Sequence, residues 1–295
     1  MSLRLPSRPK LRLQTTLFAL IVSVILPQKL IGEESTKKRT DATASSEITL
    51  GDLSSGKVRV LDLTYTLNSE THYWPGEEYT PFQIETIATL KKDGVYSRKV
   101  SFPEHIGTHL DAPNHFEEGQ QDVSEIPVEM FIGPGVVIDI TLQAEANPDK
   151  ALSVDDLREW EKENGPIPSG AIVLLRTGWG AFWSSRVRYQ NRDARGELHF
   201  PGYSPESARW LIEERKIRGI GIDTMSIDPG ISKTFDVHHI INQAGRYGLE
   251  NVAHLDKLPV RGFTLIVAPI KVEGGTGGPC RIFALLPEHS EVGKN

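Results

Sequence analysis

Between His105 and His115 the chain reads His-Ile-Gly-Thr-His-Leu-Asp-Ala-Pro-Asn-His, so three imidazoles and one carboxylate fall within eleven positions. Those side chains are the ligand types that suit zinc, manganese or iron. No packing requirement asks for that combination. A divalent ion held by such groups lowers the pKa of its water from 15.7 towards about 7 and polarises a carbonyl, which are the two demands of hydrolysis near neutral pH.

Pro113 and Gly107 argue against a helix here, and therefore against the helical two-histidine zinc motif. In an extended chain, residues 105, 107, 109, 111 and 113 face the same way. A straight strand would hold the Cα atoms of His105 and His109 about 13 Å apart, too far for one tetrahedral ion. The chain must bend or bulge between them, and Gly107 is the residue that permits it. A polar loop with ordinary hydrogen bonds is the plainer reading, and it suits one histidine better than three.

The pattern His-x-Gly-Thr-His-x-Asp-x-Pro-x-His resembles the signature of the metal-dependent cyclase family, which includes bacterial-type kynurenine formamidases and isatin hydrolases. Other landmarks follow in order. Trp74-Pro75-Gly76 resembles an upstream aromatic-Pro-Gly turn, and Gly221 to Asp228 resembles the segment after a core strand. His238 with Glu250-Asn251 resembles a downstream ligand pair, and Gly274 to Ile282 a C-terminal Gly/Pro segment. The resemblance runs from about Val60 to Leu286. Where many relatives place Asp after the Trp-Pro-Gly turn, this chain has Glu77.

The resemblance implies roles for particular residues. His105, His109 and Asp111 would bind one metal, completed by Glu250. Asp111 and Glu250 would bridge to a second ion, also held by His238. Zinc is the first expectation and manganese the second, with room for two ions per subunit. His115 would lie outside the metal sphere as the catalytic proton-transfer residue, a task suited to a side chain that titrates near pH 6.5. A fourth metal ligand or a hydrogen-bonded loop residue is the alternative for it. Trp74 would lie against an aromatic ring of the substrate. His239 adjoins His238 and competes for the ligand role, but the twelve-residue spacing to Glu250 favours His238.

Around this site the chain alternates strands and helices. Runs at 58–64, 135–140, 171–176, 220–223, 264–268 and 282–286 read as strands rich in branched residues. Ser153 opens a helix stopping near Gly165, and Ser204-Pro205 opens a second ending before Gly219. A third short helix is expected around His238, ending near Gly245. Asp62, Asp139 and Asp223 end apolar strands, and hydrogen-bonded strand ends explain most of them better than catalysis does. The Gly-rich run at 274–278 lacks the lysine of a phosphate loop and reads as a turn or pocket rim.

With 295 residues, 38% hydrophobic and 24% charged, the chain has ordinary globular usage. Its net charge of −6 gives no reason to propose nucleic-acid binding. Residues 1–32 carry five cations and no acids, and without them 28 basic residues face 39 acidic ones, a charge of −11. That N-terminal stretch has a basic lead and an apolar run from Leu17 to Leu26, the pattern of a secretory signal peptide and short for a membrane span. Residues 33–56 are polar and read as a disordered linker. The single Cys280 excludes an intrachain disulfide and a cysteine-rich zinc site, and reads as a small core residue.

The expected organisation is a signal peptide or uncleaved anchor at 1–32, a linker at 33–56, and one folded domain at 57–290. That domain would be mixed α/β with a mainly β core flanked by helices, in the swivelling β/β/α arrangement that the resemblance implies, often as a homo-oligomer. The expected activity is hydrolysis of a small amide, either an arylformamide such as N-formylkynurenine or a cyclic lactam such as isatin. The expected setting is secreted or extracytoplasmic, with the membrane involved only through an uncleaved N-terminus. A metal-dependent lyase, dehydratase or cyclase on a small carbonyl compound, and a non-catalytic exported metal-binding protein, are the alternatives.

Overall fold

Val136, Ile138, Val173, Leu175, Ile220 and Ile222 are buried against helices, while Val137, Ile172, Leu174 and Leu249 from the same layer of chain fill a second core. Strands buried on both faces read as continuous apolar runs, which is why these segments show no alternation. The computed structural model describes residues 50–76 and 79–288. The expected signal segment, most of the expected linker, and Glu77 lie outside them.

Eight strands build the main sheet: β1 (Val58–Asp62), β2 (His109–Asp111), β3 (Ile132–Asp139), β4 (Ile172–Arg176), β5 (Gly219–Ile222), β6 (Tyr247–Glu250), β7 (Phe263–Pro269) and β8 (Gly277–Pro287). Their order is β1-β8-β7-β3-β4-β5-β6-β2, and β2 pairs again with β8. The ring therefore closes into a seven-stranded barrel, with β1 attached to the far end of β8. Strands β3 to β6 run parallel, and the remaining pairings are antiparallel. Closure distinguishes this fold from the open doubly wound sheet that the parallel strands alone suggest.

Glycine makes the inner packing fit. A Cβ on Gly221 would lie 2.7 Å from Leu174 Cδ2, and one on Gly219 would lie 2.4 Å from the Tyr247 ring. The helices cover the parallel strands. Ser153 caps α1 (Val154–Asn164) by accepting from the Asp156 amide at 3.1 Å, and Asp156 accepts the Ser153 amide at 2.8 Å in return. Ser204 and Ser207 form the same reciprocal cap for α2 (Pro205–Arg215), and α3 (Asp236–Gln243) packs against α2.

Three local expectations change. Gly277 and Gly278 are not a turn or rim but the first residues of β8, paired with Asp111 and Leu110. A Cβ on Gly277 would approach Leu110 O to 2.2 Å, so only glycine lets the two backbones meet. Tyr247–Glu250 forms a strand that its short, glycine-containing sequence hid. The stretch read as linker includes a five-residue helix, Leu50–Ser54, just before β1.

Candidate metal centre

The three-residue strand β2 lies between β6 and β8, and register alone sets Glu250 opposite His109. Ahead of β2 the chain turns at Gly107, where φ is +58°, so the bend required by the His105–His109 spacing is present. His109 Nδ1 lies 2.9 Å from Gly107 O, which also accepts from Asn251 Nδ2 at 2.9 Å. Thr108 Oγ1 donates to Asn251 O at 2.7 Å. The turn and the end of β6 thus hold each other.

At the centre are two buried carboxylates, Asp111 facing three histidines and Glu250 facing two. Asp111 Oδ1 and Glu250 Oε2 lie 3.3 and 3.4 Å from His109 Nε2. Asp111 Oδ2 and Glu250 Oε1 lie 3.5 and 3.2 Å from His238 Nε2. His105 Nδ1 approaches Asp111 Oδ1 at 2.6 Å. The ligand atoms offered by His109, Asp111 and Glu250 all lie within 4.8 Å of one another, as do those of His105, Asp111 and His115.

Tautomers decide what this cluster can hold. The carbonyl of Gly107 accepts only, so His109 Nδ1 carries hydrogen and Nε2 is the nitrogen turned to the two carboxylates. His238 Nδ1 is 2.7 Å from Asp228 Oδ2, which turns His238 Nε2 toward Asp111 and Glu250 in the same way. Thr276 Oγ1 donates to Glu104 Oε2 at 2.6 Å and lies 2.9 Å from His105 Nε2, while His105 Nδ1 is at hydrogen-bond distance, 2.6 Å, from Asp111 Oδ1, which can only accept. Two imidazole nitrogens, His109 Nε2 and His238 Nε2, each set between the same two carboxylates, require positive charge there, as protons or as a cation. His109 Nε2 and Asp111 Oδ2 are buried without a hydrogen-bond partner, which fits ligand atoms of a divalent cation.

The electrostatics point the same way. Burial acts to lower the pKa of His109, but Asp111 and Glu250 outweigh it and raise it to about 9. His238 is likewise raised against burial by Asp111, Asp228 and Glu250. Burial would raise Asp111, yet the surrounding histidines hold it well below the usual carboxylate range. Glu250 is pushed up by burial and by the charge of Asp111.

His115 ends a short 3-10 turn, Pro113–His115, and its ring stacks on His105 with centroids 3.9 Å apart. Burial drives its pKa down to about 3, against the pull of Asp111, so the ring is neutral around pH 7. Trp74 lines the same pocket, with Phe116, Met225 and Phe235 as further apolar wall. All seven residues singled out in the sequence, from Trp74 to Glu250, therefore border one cavity. His239 does not: it is half exposed and turned to Glu117 at 2.8 Å.

Several contributors escaped the sequence reading. Asp228, Glu104 and Thr276 fix histidine tautomers, and the Ile227 amide donates to Glu250 Oε1 at 3.1 Å. The one available signal was Asp228, which closes the Gly221 to Asp228 landmark ten residues before His238. The strand-end aspartates behave as hydrogen-bonded structure. Asp62 pairs with Arg281, Asp139 with Arg176 and Thr141, and Asp223 with Thr177 and Gly178. Cys280 is a buried core residue whose thiol is pushed up by burial.

A closed mixed barrel with a buried His/Asp/Glu cluster opening into an aromatic pocket defines the class of protein. Within that class the chain belongs to the putative cyclase family, whose sequence profile matches residues 61–229. It is 35% identical to isatin hydrolase of Roseibium aggregatum, over 80% of this chain and 95% of the relative. It is 31% identical to kynurenine formamidase of Bacillus cytotoxicus, over 75% of this chain and 94% of that protein. Among solved structures, isatin hydrolase A of Labrenzia aggregata bound to benzyl benzoate superposes with a TM-score of 0.75, at 40% identity, over 81% of this chain and 97% of that one.

Proposed function

We propose that this protein is a metal-dependent amidohydrolase that opens the C–N bond of a small aromatic amide, either a cyclic lactam such as isatin or an arylformamide such as N-formylkynurenine. The observation that carries the reading is the convergence of His105, His109 and His238 on the buried carboxylates Asp111 and Glu250 beside an aromatic pocket. The similarity to isatin hydrolase and kynurenine formamidase supports the substrate class.

His105, His109 and Asp111 would hold one ion, with Glu250, while Asp111, Glu250 and His238 offer a second set of donors. Zinc is the first choice and manganese the second, because His and carboxylate ligands accept both. A divalent ion bound there supplies Lewis acidity, acidifying water and polarising the scissile carbonyl. Burial keeps His115 neutral and the stack on His105 fixes its plane, so the ring can take a proton from attacking water and return it to the departing nitrogen. Hydroxyl then ends on the carbonyl carbon and hydrogen on the nitrogen. Trp74, edge-on to Phe235 at 5.6 Å, offers its face to the substrate ring and keeps bulk water from it.

Two further features belong to this reading. The hairpin Gln83–Ala88 with Ser97–Ser101 leaves Ile84, Ile87, Tyr96 and Val100 exposed, which supports a homo-oligomer, because a lone two-stranded hairpin is only marginally stable. The basic lead and apolar run of residues 1–26 support export.

Hydrolysis of isatin and N-formylkynurenine, with metal content measured on the same sample, tests the proposal. Turnover abolished by chelator and restored by zinc or manganese is the expected result. Bound metal with neither compound hydrolysed would overturn the substrate assignment, and absence of bound metal would overturn the reading itself.

A further inference from the structure

Asp228 is 2% exposed and lies on the segment that leaves β5 on its way to α3. Its Oδ1 accepts the Val237 amide at 3.0 Å, and its Oδ2 accepts the His238 amide at 3.2 Å and approaches His238 Nδ1 at 2.7 Å. One carboxylate therefore caps the start of α3 and grips the imidazole of that helix's third residue. The preceding residue extends the arrangement: the Ile227 amide donates to Glu250 Oε1 at 3.1 Å. The same short segment thus orients both His238 and the oxygen of Glu250 that His238 faces.

We infer that Asp228 is a positioning residue that acts through His238, locking its tautomer and ring plane so that Nε2 serves the His238 side of the metal centre. The inference rests on the metal-dependent reading above. A carboxylate accepts and cannot donate, so His238 must carry hydrogen on Nδ1 and present its Nε2 lone pair inward. The arrangement is one-sided. His109 is oriented by the Gly107 carbonyl and His105 by Thr276 with Glu104, and neither touches Asp228. Removing the carboxylate weakens one group of donors and leaves the other intact.

The experiment is calorimetric titration of zinc into chelator-stripped full-length protein, comparing wild type, Asp228→Asn, His238→Ala and the double variant, with thermal melts of each. Asp228→Asn keeps a cap oxygen while replacing one carboxylate oxygen by an amide that donates. We expect it to weaken zinc binding by about 10–100-fold, the usual cost of losing such a support. In the His238→Ala background the same substitution should change zinc affinity no further. An equal loss in both backgrounds would make Asp228 merely a helix cap and overturn the inference, as would unchanged affinity in Asp228→Asn. Should His238→Ala fail to fold, the imidazole nitrogen spectrum of zinc-loaded wild type decides: zinc on Nε2 with hydrogen on Nδ1 at His238 supports the inference, and any other form overturns it. Wild type that binds no zinc would overturn the metal reading first and this inference with it.

Discussion

The ring of His115 stacks on the ring of His105, centroids 3.9 Å apart and planes 20° apart. His115 therefore borders the metal centre while its own ring is fixed by a ligand candidate rather than by a carboxylate. Replacing His115 with Ala is expected to leave metal content unchanged while kcat falls about 10²- to 10⁴-fold, the usual worth of a positioned proton-transfer group. Loss of metal in parallel with activity would assign His115 to the ligand set instead.

Asp111 faces all three candidate ligand histidines. Asp111→Ala should abolish metal binding and turnover together, beyond the about 10–100-fold that outer supports cost. Elemental analysis alongside an activity assay checks this, and a metal-loaded, inactive variant would contradict it.

Trp74 packs edge-on against Phe235 in the pocket wall. Aromatic pairs contribute about 0.5–1.5 kcal/mol beyond buried area, so Trp74→Ala should raise KM for an aromatic amide by roughly 2- to 10-fold. Its kcat should change less. Steady-state kinetics on isatin and on a non-aromatic amide separate the two effects, and equal losses on both substrates would count against ring contact.

Gly107 has φ of +58°, and a Cβ there would lie 2.9 Å from both Leu67 Cδ2 and Thr71 Cγ2. Gly107→Ala should cost about 1–3 kcal/mol in strain and also weaken metal binding, because the Gly107 carbonyl orients His109. Urea unfolding and a zinc titration measure the two losses. Retention of full stability would show that the turn tolerates a side chain.

Far from the site, Glu161 of α1 binds Arg215 of α2 through two bonds of 2.6 and 2.7 Å and accepts the Ile167 amide at 2.8 Å. The Arg215 pairing holds the Glu161 carboxyl below the usual carboxylate range, against its burial. A depressed acid contributes stability that is present above its unfolded pKa, about 4.3, and lost as pH falls through the folded value. Wild type should therefore lose more stability than Glu161→Gln between pH 6 and about pH 3, read as the shift in urea midpoint. Parallel shifts in the two proteins would remove Glu161 from the acid response.

Much of this protein is legible in its residues. Five of the seven singled-out side chains lie in short motifs, Trp74-Pro-Gly and His105 to His115, because a metal needs several donors close together and a short bent segment supplies them. The need for a bend at Gly107 followed from strand rise alone. Ser153 and Ser204 marked their helices because capping chemistry is local.

Other features depend on pairings between distant segments. Glu250 becomes a partner of His109 only through the β2–β6 register, and β6 is too short and glycine-containing to announce itself as a strand. Gly277 looked like a turn because its reason for being glycine, the backbone of Leu110, belongs to another strand. Asp228 reads only as part of a landmark segment, and Glu104 and Thr276 carry no signal, since a histidine's tautomer is set by whatever the fold brings to its other nitrogen. The residue types named the chemistry, and barrel closure decided which of them meet.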